Sequence, residues 1–498
     1  MQKILAFVLS IITLVTSTIG GWFGFDKEPS DFTTEIINSQ VEKISECLGF
    51  ANDTIIVFVK DSATYKEIKK LAKEIDGKIV GFSSFFKEYQ IKIGKAALED
   101  LSNLCKKLME KAEVTYACPM ILVNAKECLS KEMPEIPNDP YDTSYRDDWD
   151  EDDPYGSNWH LEAIQALSAW KYSDKMSTID LGIVDSGFYL DHEDLQGKIF
   201  FANKYLKYTN NADSHGTHVA GIISANQNNG VGVCGVCPNA RLHCVDWDPT
   251  YKSLSQIWIT GERILSGLYL TVKSGAKVVN FSLGFDLIKG THAYPKFIID
   301  IVGGFVSAYM AVLIKNGYDF IACQAAGNGD DEGYAVNADS NGFFCSVNEK
   351  NCMSEYFGVD KNEVLDRIIV VGSAVKFGSK QFEQVIYSNV GENVDICAPG
   401  YRIYSTDNPE HNYYSYKSGT SMATPVVVGV CGLVWSIDSS FTGPEVKKIV
   451  CDVNNTCYDV PATPEYQRKY DDVDYHDSRL VNAKLSVESA IKISDSKK

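Results

Sequence analysis

The sequence predicts an α/β fold: a doubly wound, mostly parallel sheet preceded by a small α+β domain. Two observations carry this. From residue 157 onward, short apolar runs rich in Val and Ile recur between helical stretches, at 179–185 (IDLGIVD), 240–245, 276–281 (AKVVNF), 320–325 and 367–372 (RIIVVG). Strands apolar on both faces belong in parallel sheets covered by helices on each side. Before that, residues 22 to about 128 are rich in Lys and Glu and hold two strand signals, 54–60 (TIIVFVK) and the alternating 89–93 (YQIKI). Each is followed by an amphipathic stretch, 65–75 and 96–111, so strand, helix, strand and helix make one small α+β unit.

The remaining segments fall around these two. Residues 1–20 read as a secretory signal: Lys3 supplies the positive start, 4–15 is apolar except for Ser10 and Thr13, and small residues follow. The apolar stretch is too short to span a bilayer of ~30 Å hydrocarbon, so a cleaved leader is expected and no stable membrane anchor. The unit at 22–130 is joined by an acidic, Pro-rich linker at 131–156 to the main domain at 157–490. With 498 residues, 45% apolar and 23% charged, the chain is of ordinary globular composition. Its 47 basic against 66 acidic side chains give a net charge of −19 without a basic stripe, which excludes a nucleic-acid partner.

A secretory route permits disulfides among the 14 cysteines. The close pairs Cys345 with Cys352 and Cys451 with Cys457 are expected bridges, while Cys323, Cys397 and Cys431 sit in apolar runs as buried small side chains. Cys234, Cys237 and Cys244 have a C-x-x-C step, but only His243 stands near as a fourth zinc ligand, and ordinary thiols are the expectation. Asn52 and Asn454 are glycosylation acceptors by pattern; Asn280 also fits but ends a Val-Val strand and is expected to be inaccessible.

Three peptides of the main domain carry chemistry. The run 181–187 is a strand ending in Asp185 and a turn; 214–221 opens Ser-His215-Gly-Thr-His218; and 418–425 is Ser-Gly-Thr-Ser421-Met-Ala-Thr-Pro, a serine where a helix begins. A hydroxyl nucleophile needs a base for its proton, and the base needs a group that fixes its tautomer. Taken singly, each has a bland reading, as a turn Asp, a core His and an N-cap Ser. Together, in the order Asp, His, Ser, they oppose the Ser, Asp, His order of α/β-hydrolases, and Gly419-Thr-Ser421-Met-Ala423 lacks the second glycine of their nucleophile elbow.

These peptides resemble the signature segments of subtilisin-like serine endopeptidases, the subtilases, over about residues 137–483. The resemblance implies a subtilisin-like fold and an acyl-enzyme mechanism in which Asp185 orients the imidazole, His215 is the general base and Ser421 the nucleophile. His218 matches a second histidine that is not catalytic. Asn328, in Ala-Ala-Gly-Asn-Gly, matches the oxyanion donor, and Ser282-Leu283-Gly284 the edge that pairs with an extended peptide or protein substrate. The amino-terminal unit resembles the family's propeptide, a folding assistant and then inhibitor; an unrelated binding module is the rival. No cofactor is implied for catalysis, but Asp194 and Asn229 match positions of a structural calcium site.

Two departures stand out. Residues 288–296 read as an inserted loop near the cleft, and Asp330, Asp331 and Glu332 beside Asn328 leave open a narrow preference for basic residues. The functional expectation is a secreted serine endopeptidase made as a zymogen, against a catalytically silent subtilase fold used for binding or a narrow-specificity processing protease.

Overall fold

The computed structural model describes residues 41–44, 48–124, 158–202, 214–246, 258–285, 287, 290–378, 381–456 and 458–497. The expected leader and linker lie outside these residues. The chain divides into two compact units, one drawn from Met1–Glu42 and Phe50–Met120, the other from Lys43–Gly49 and Ile121–Lys498.

The smaller unit runs β1 (Leu48–Val59), α1 (Tyr65–Glu74), β2 (Lys78–Ser83), β3 (Glu88–Lys92), α2 (Leu98–Leu108) and β4 (Val114–Asn124), with strand order β2-β3-β1-β4. The sequence reading found β1, β3 and both helices but not β2 and β4. Helix α1 starts where Thr64 and Glu67 cap one another: Thr64 N donates to Glu67 Oε2 at 2.8 Å and Glu67 N to Thr64 Oγ1 at 3.4 Å. Ile68, Leu71, Leu101 and Cys105 turn one face of each helix into a core with Ile55, Val57 and Ile91 of the sheet.

In the larger unit α3 (Trp159–Ala163) and α4 (Ala166–Trp170) precede β5 (Ile179–Asp185), β6 (Ile199–Phe201), α5 (His215–Ser224), β7 (Ala240–Asp246), α6 (Gly261–Lys273), β8 (Val278–Phe281), α7 (Lys296–Lys315) and β9 (Ile321–Ala325). Then come β10 (Ile368–Gly378), β11 (Gln381–Gln384), β12 (Ile396–Pro399), β13 (Ile403–Thr406), β14 (Tyr414–Lys417), α8 (Thr420–Ile437), α9 (Gly443–Cys451), β15 (Tyr458–Val460), β16 (Ser478–Leu480) and α10 (Ala483–Lys497). The main sheet has the order β15-β16-β12-β10-β9-β8-β5-β7-β6, and β11 pairs with β10. From β12 to β6 every neighbouring pair along this order is parallel, as in Val278 beside both Leu181 and Ile321. The α/β expectation is borne out. From β5 the chain runs to the edge strand β6 and returns through β7 between them, then crosses to β8, β9 and β10 on the other side of β5. That reversal opens a crevice at the carboxyl ends of the strands, where α/β sheets bind ligands.

Helix α8 lies under this sheet, buried on all sides from Thr420 to Ser436. Its Gly429 would bring a Cβ within 2.5 Å of Val236, and its Gly432 within 2.9 Å of Leu181, so small residues set how closely it packs. Helices α7 and α8 are long and apolar enough to cross a membrane by composition, but 78% and 94% of their apolar windows are buried in the protein, as core helices are.

The bridge expected between Cys345 and Cys352 is not formed. Both are buried thiols turned apart: Cys345 donates to Ala325 O at 3.4 Å, at the end of β9, and Cys352 to Ser354 Oγ at 3.4 Å, within its own turn. Nearness in sequence did not translate into facing side chains. Cys451 is a thiol, and Cys457 lies outside the described residues. Asn280 is fully buried, as expected, and Asn454 is exposed.

Candidate active site

The crevice collects residues from four strand or helix ends. Asp185 is the last residue of β5, and its Oδ1 accepts from the backbone N–H of Ser186 at 2.7 Å and lies 2.7 Å from His215 Nδ1. Both side chains are nearly buried, at 2% and 4% exposure. A carboxylate can only accept, so the proton of the neutral imidazole sits on Nδ1 and Nε2 keeps its lone pair. His215 opens α5, whose start is fixed by Gly216 N donating to Ser186 O at 2.6 Å and Thr217 N to Gly187 O at 3.0 Å. Gly216 is required here: a Cβ would lie 2.8 Å from Phe188 and from Ser186 O.

Ser421 is the second residue of α8, which packs against α5. Its hydroxyl donates to Ser282 O at 3.2 Å, and Ser282 Oγ donates back to Ser421 O at 2.7 Å. Pro425 explains the second bond. It has no N–H for the carbonyl four residues earlier, so Ser421 O is left for the Ser282 hydroxyl. Asn328, on the loop after β9, accepts from Thr420 N at 2.9 Å and Thr420 Oγ1 at 3.0 Å through its Oδ1. Those donors fix the amide with Nδ2 outward. A Cβ on Gly419 would lie 3.3 Å from that Nδ2 and 3.6 Å from Ser421 N, so two N–H donors border one spot kept clear by a glycine.

Leu283 O accepts from Gln324 Nε2 at 3.1 Å, tying the Ser282-Leu283-Gly284 segment to β9. Sequence reasoning missed two residues that hold the site. Thr420 binds Asn328 and also accepts Gly327 N at 3.1 Å. Asn389 clamps the same loop, accepting Gly329 N at 3.0 Å and Val336 N at 3.2 Å and donating to Ala326 O at 2.9 Å.

His218 is fully buried one turn after His215, with Nε2 3.1 Å from Ser415 O; burial first, then the charge of Lys417, pushes it down to about 3, so it stays neutral. Asp194 and Asn229 do meet, but Asn229 offers its amide nitrogen to Oδ1 at 2.7 Å while Val233 N donates to Oδ2 at 2.7 Å. Placed this way, Asn229 turns its amide nitrogen and not its oxygen toward Asp194, and the pair offers one carboxylate where calcium takes six to eight oxygens, so it does not fit the ion as it stands. Cys237 donates to Asn239 Oδ1 at 3.2 Å and His243 Nε2 is 2.9 Å from Asp180 Oδ1, so the C-x-x-C step does not converge on the histidine; burial raises Cys234 and Cys237 to about 12.

Known proteins resemble this chain in sequence. The profile of the Subtilase family matches residues 177–469, more than half the chain. The chain belongs to the subtilase family. Thermitase of Thermoactinomyces vulgaris is 30% identical over 336 residues, 67% of this subtilase and 95% of thermitase. The thermophilic serine proteinase of Bacillus sp. (strain AK1) is 27% identical over 412 residues, 80% of this chain and 81% of the relative. In fold, this subtilase resembles fervidolysin from Fervidobacterium pennivorans, a keratinolytic enzyme related to subtilisin, with a TM-score of 0.58 and 21% identity. That match covers 93% of this chain and 65% of fervidolysin, and at such identity it bears on fold alone.

Proposed function

We propose that this subtilase is a secreted endopeptidase, made as a zymogen, that hydrolyses peptide bonds of protein substrates through Asp185, His215 and Ser421. The observation that carries the reading is the 2.7 Å contact of His215 Nδ1 with buried Asp185, which leaves Nε2 as the base. In attack, the Ser421 hydroxyl leaves Ser282 O and passes its proton to His215 Nε2 as Oγ bonds to the scissile carbonyl carbon. The oxyanion is met by Asn328 Nδ2 and Ser421 N, a pair already held in place before substrate arrives. His215 then returns the proton to the leaving amine as the C–N bond breaks, and water attacks the acyl-enzyme by the same route. An extended substrate would lie along Ser282–Gly284 by strand addition. No step calls for a cofactor.

Secretion and zymogen character rest on the apolar leader at 4–15 and on the small α+β unit that precedes the linker, which reads as a propeptide. The test is to express the full chain and its Ser421→Ala variant, treat both with a fluorophosphonate probe and read intact masses. Processing of the wild type between residues 128 and 154 with probe on Ser421 is the expected result. A wild type that takes no probe, even after the linker is trimmed with another protease, would sink the reading.

A further inference from the structure

The cleft beside Ser421 is walled by two backbone segments, 282–284 after β8 and 325–328 after β9. Both touch the turn of the serine itself: Ser282 exchanges hydrogen bonds with Ser421, while Gly327 and Asn328 bind Thr420. When an acyl carbon sits at Ser421 Oγ with its oxygen toward Asn328 Nδ2, the Cα of that substrate residue is one bond of about 1.5 Å away. Its side chain therefore starts between these two walls.

Both walls carry a glycine, and the two glycines face the same object. A Cβ on Gly284 would lie 1.9 Å from Asn341 Oδ1, and one on Gly327 would lie 2.8 Å from that same atom. The Asn341 amide is anchored: Nδ2 donates to Ala325 O at 2.6 Å, and its own backbone carbonyl accepts Phe285 N at 2.9 Å. It is 6% exposed. A rigid polar group thus fills the depth that a large substrate side chain would need. The neighbouring acid is already engaged, since Asp330 binds Lys469 Nζ at 2.7 Å and Tyr470 OH at 2.6 Å, and Glu332 lies 3.1 Å from the same ammonium.

We propose that Asn341 is the floor of the primary side-chain pocket and restricts the enzyme to small, uncharged residues on the acyl side of the scissile bond. The assignment rests on the serine-protease reading above. An aromatic ring could enter only by displacing the amide and leaving Ala325 O without that donor, and a basic side chain would meet an amide at the floor, with the Asp330 carboxylate already bound to Lys469 and Tyr470.

The test uses the full-chain protein after processing, with active sites counted by fluorophosphonate titration. Tetrapeptide nitroanilides that differ only in the last residue, Ala, Phe or Lys, are compared by kcat/KM, and cleavage sites in a mixed protein digest are read by mass spectrometry. Ala is expected to exceed Phe and Lys by about tenfold or more, and Asn341→Gly to shift the Phe-to-Ala ratio by about tenfold toward Phe. If that variant is not recovered, Asn341→Ser, which keeps a donor for Ala325 O, gives the same comparison. A wild type that cleaves after Phe or Lys as well as after Ala overturns the assignment without any variant. A wild type that neither cleaves nor takes the probe at Ser421 overturns the protease reading beneath it, and the two failures are told apart by the titration.

Discussion

Two loops of the larger unit each bury a carboxylate, and their surroundings drive it in opposite directions. Asp194, fully buried, accepts hydrogen bonds from Asn229 Nδ2 and Val233 N, both uncharged, and burial pushes it up to about 6. Asp330 is 4% exposed, and burial presses it the same way, but Lys469, then Tyr470 and the N–H groups of Tyr334 and Glu332, outweigh that and hold it at about 2. Asp330 has four donors to the two of Asp194, and one of the four carries a full charge. A full positive charge in contact repays the loss of water around an ionised carboxylate, and two neutral donors do not.

The comparison breaks most easily at Lys469. Lys469→Met leaves Asp330 with neutral donors only, the condition of Asp194. The expected cost is about 3 kcal/mol, the low end for stranding a buried charge, because Lys469 keeps 28% exposure. Urea melts at neutral pH read it directly, and a change below about 1 kcal/mol would mean that the hydrogen bonds suffice alone. In the wild type, the depressed pKa of Asp330 gives stability that is present above the unfolded value near 4 and lost as pH falls toward about 2. Lys469→Met is expected to flatten that acid limb.

Asp194 gives a smaller effect of opposite sign. Its folded pKa is raised, so the folded chain holds more protons than the unfolded chain between about pH 4 and 6. Stability therefore falls as pH rises across that window and stays lower above it. Asp194→Asn removes the titration, and the Asn229 amide can turn over to accept in place of donating. A gain of about 1–3 kcal/mol at pH 7 and none at pH 4 is expected from melts across the range. An unchanged slope would mean that another group carries it.

The fold and the residues of the candidate site were legible in the sequence because their signals are local. Strands buried on both faces show themselves as Val and Ile runs, and Asp185, His215, Asn328 and Ser421 each sit at the end of such a run or the start of a helix. The supporting residues were not legible, because what they do depends on partners far along the chain. Asn389 sits in an unremarkable YSNVG, and only folding brings it to Gly329, 60 residues earlier. Lys469 reaches Asp330 across 139 residues, so the acid nearest Asn328 is already charge-paired and not free for a substrate. Strands β2 and β4 were missed for a related reason: their apolar runs are interrupted by Gly81 and by Cys118-Pro119, and pairing partners rather than pattern make them strands. The inserted loop read at 288–296 falls partly outside the described residues. Its described part is joined to later segments by Tyr294 N donating to Ser340 Oγ at 3.3 Å and by His292 lying 3.0 Å from Asp472.

The smallest expected effect concerns the Asp194 loop again and asks what closes it. Both oxygens of Asp194 take an N–H donor, and Asn229 Oδ1 is turned away from them to accept Val231 N at 3.2 Å, so the side chains are arranged for hydrogen bonds and not around an ion. Binding the ion between these side chains would mean turning the Asn229 amide and giving up its bonds to Asp194 and Val231, at about 1 kcal/mol for each hydrogen bond lost. A resident ion held at about 1,000 times its Kd would still contribute about 4 kcal/mol, and chelation would remove it. Melts with EGTA and with added calcium are therefore expected to coincide within about 1 kcal/mol of stability. A clear drop in EGTA would put a cation beside Asp194 and make its carboxylate the counterpart of Asp330 after all, charge-paired, with a metal ion in the place of Lys469. Asp194→Asn would then destabilise at pH 7 instead of stabilising, so the two measurements must agree on which kind of loop this is.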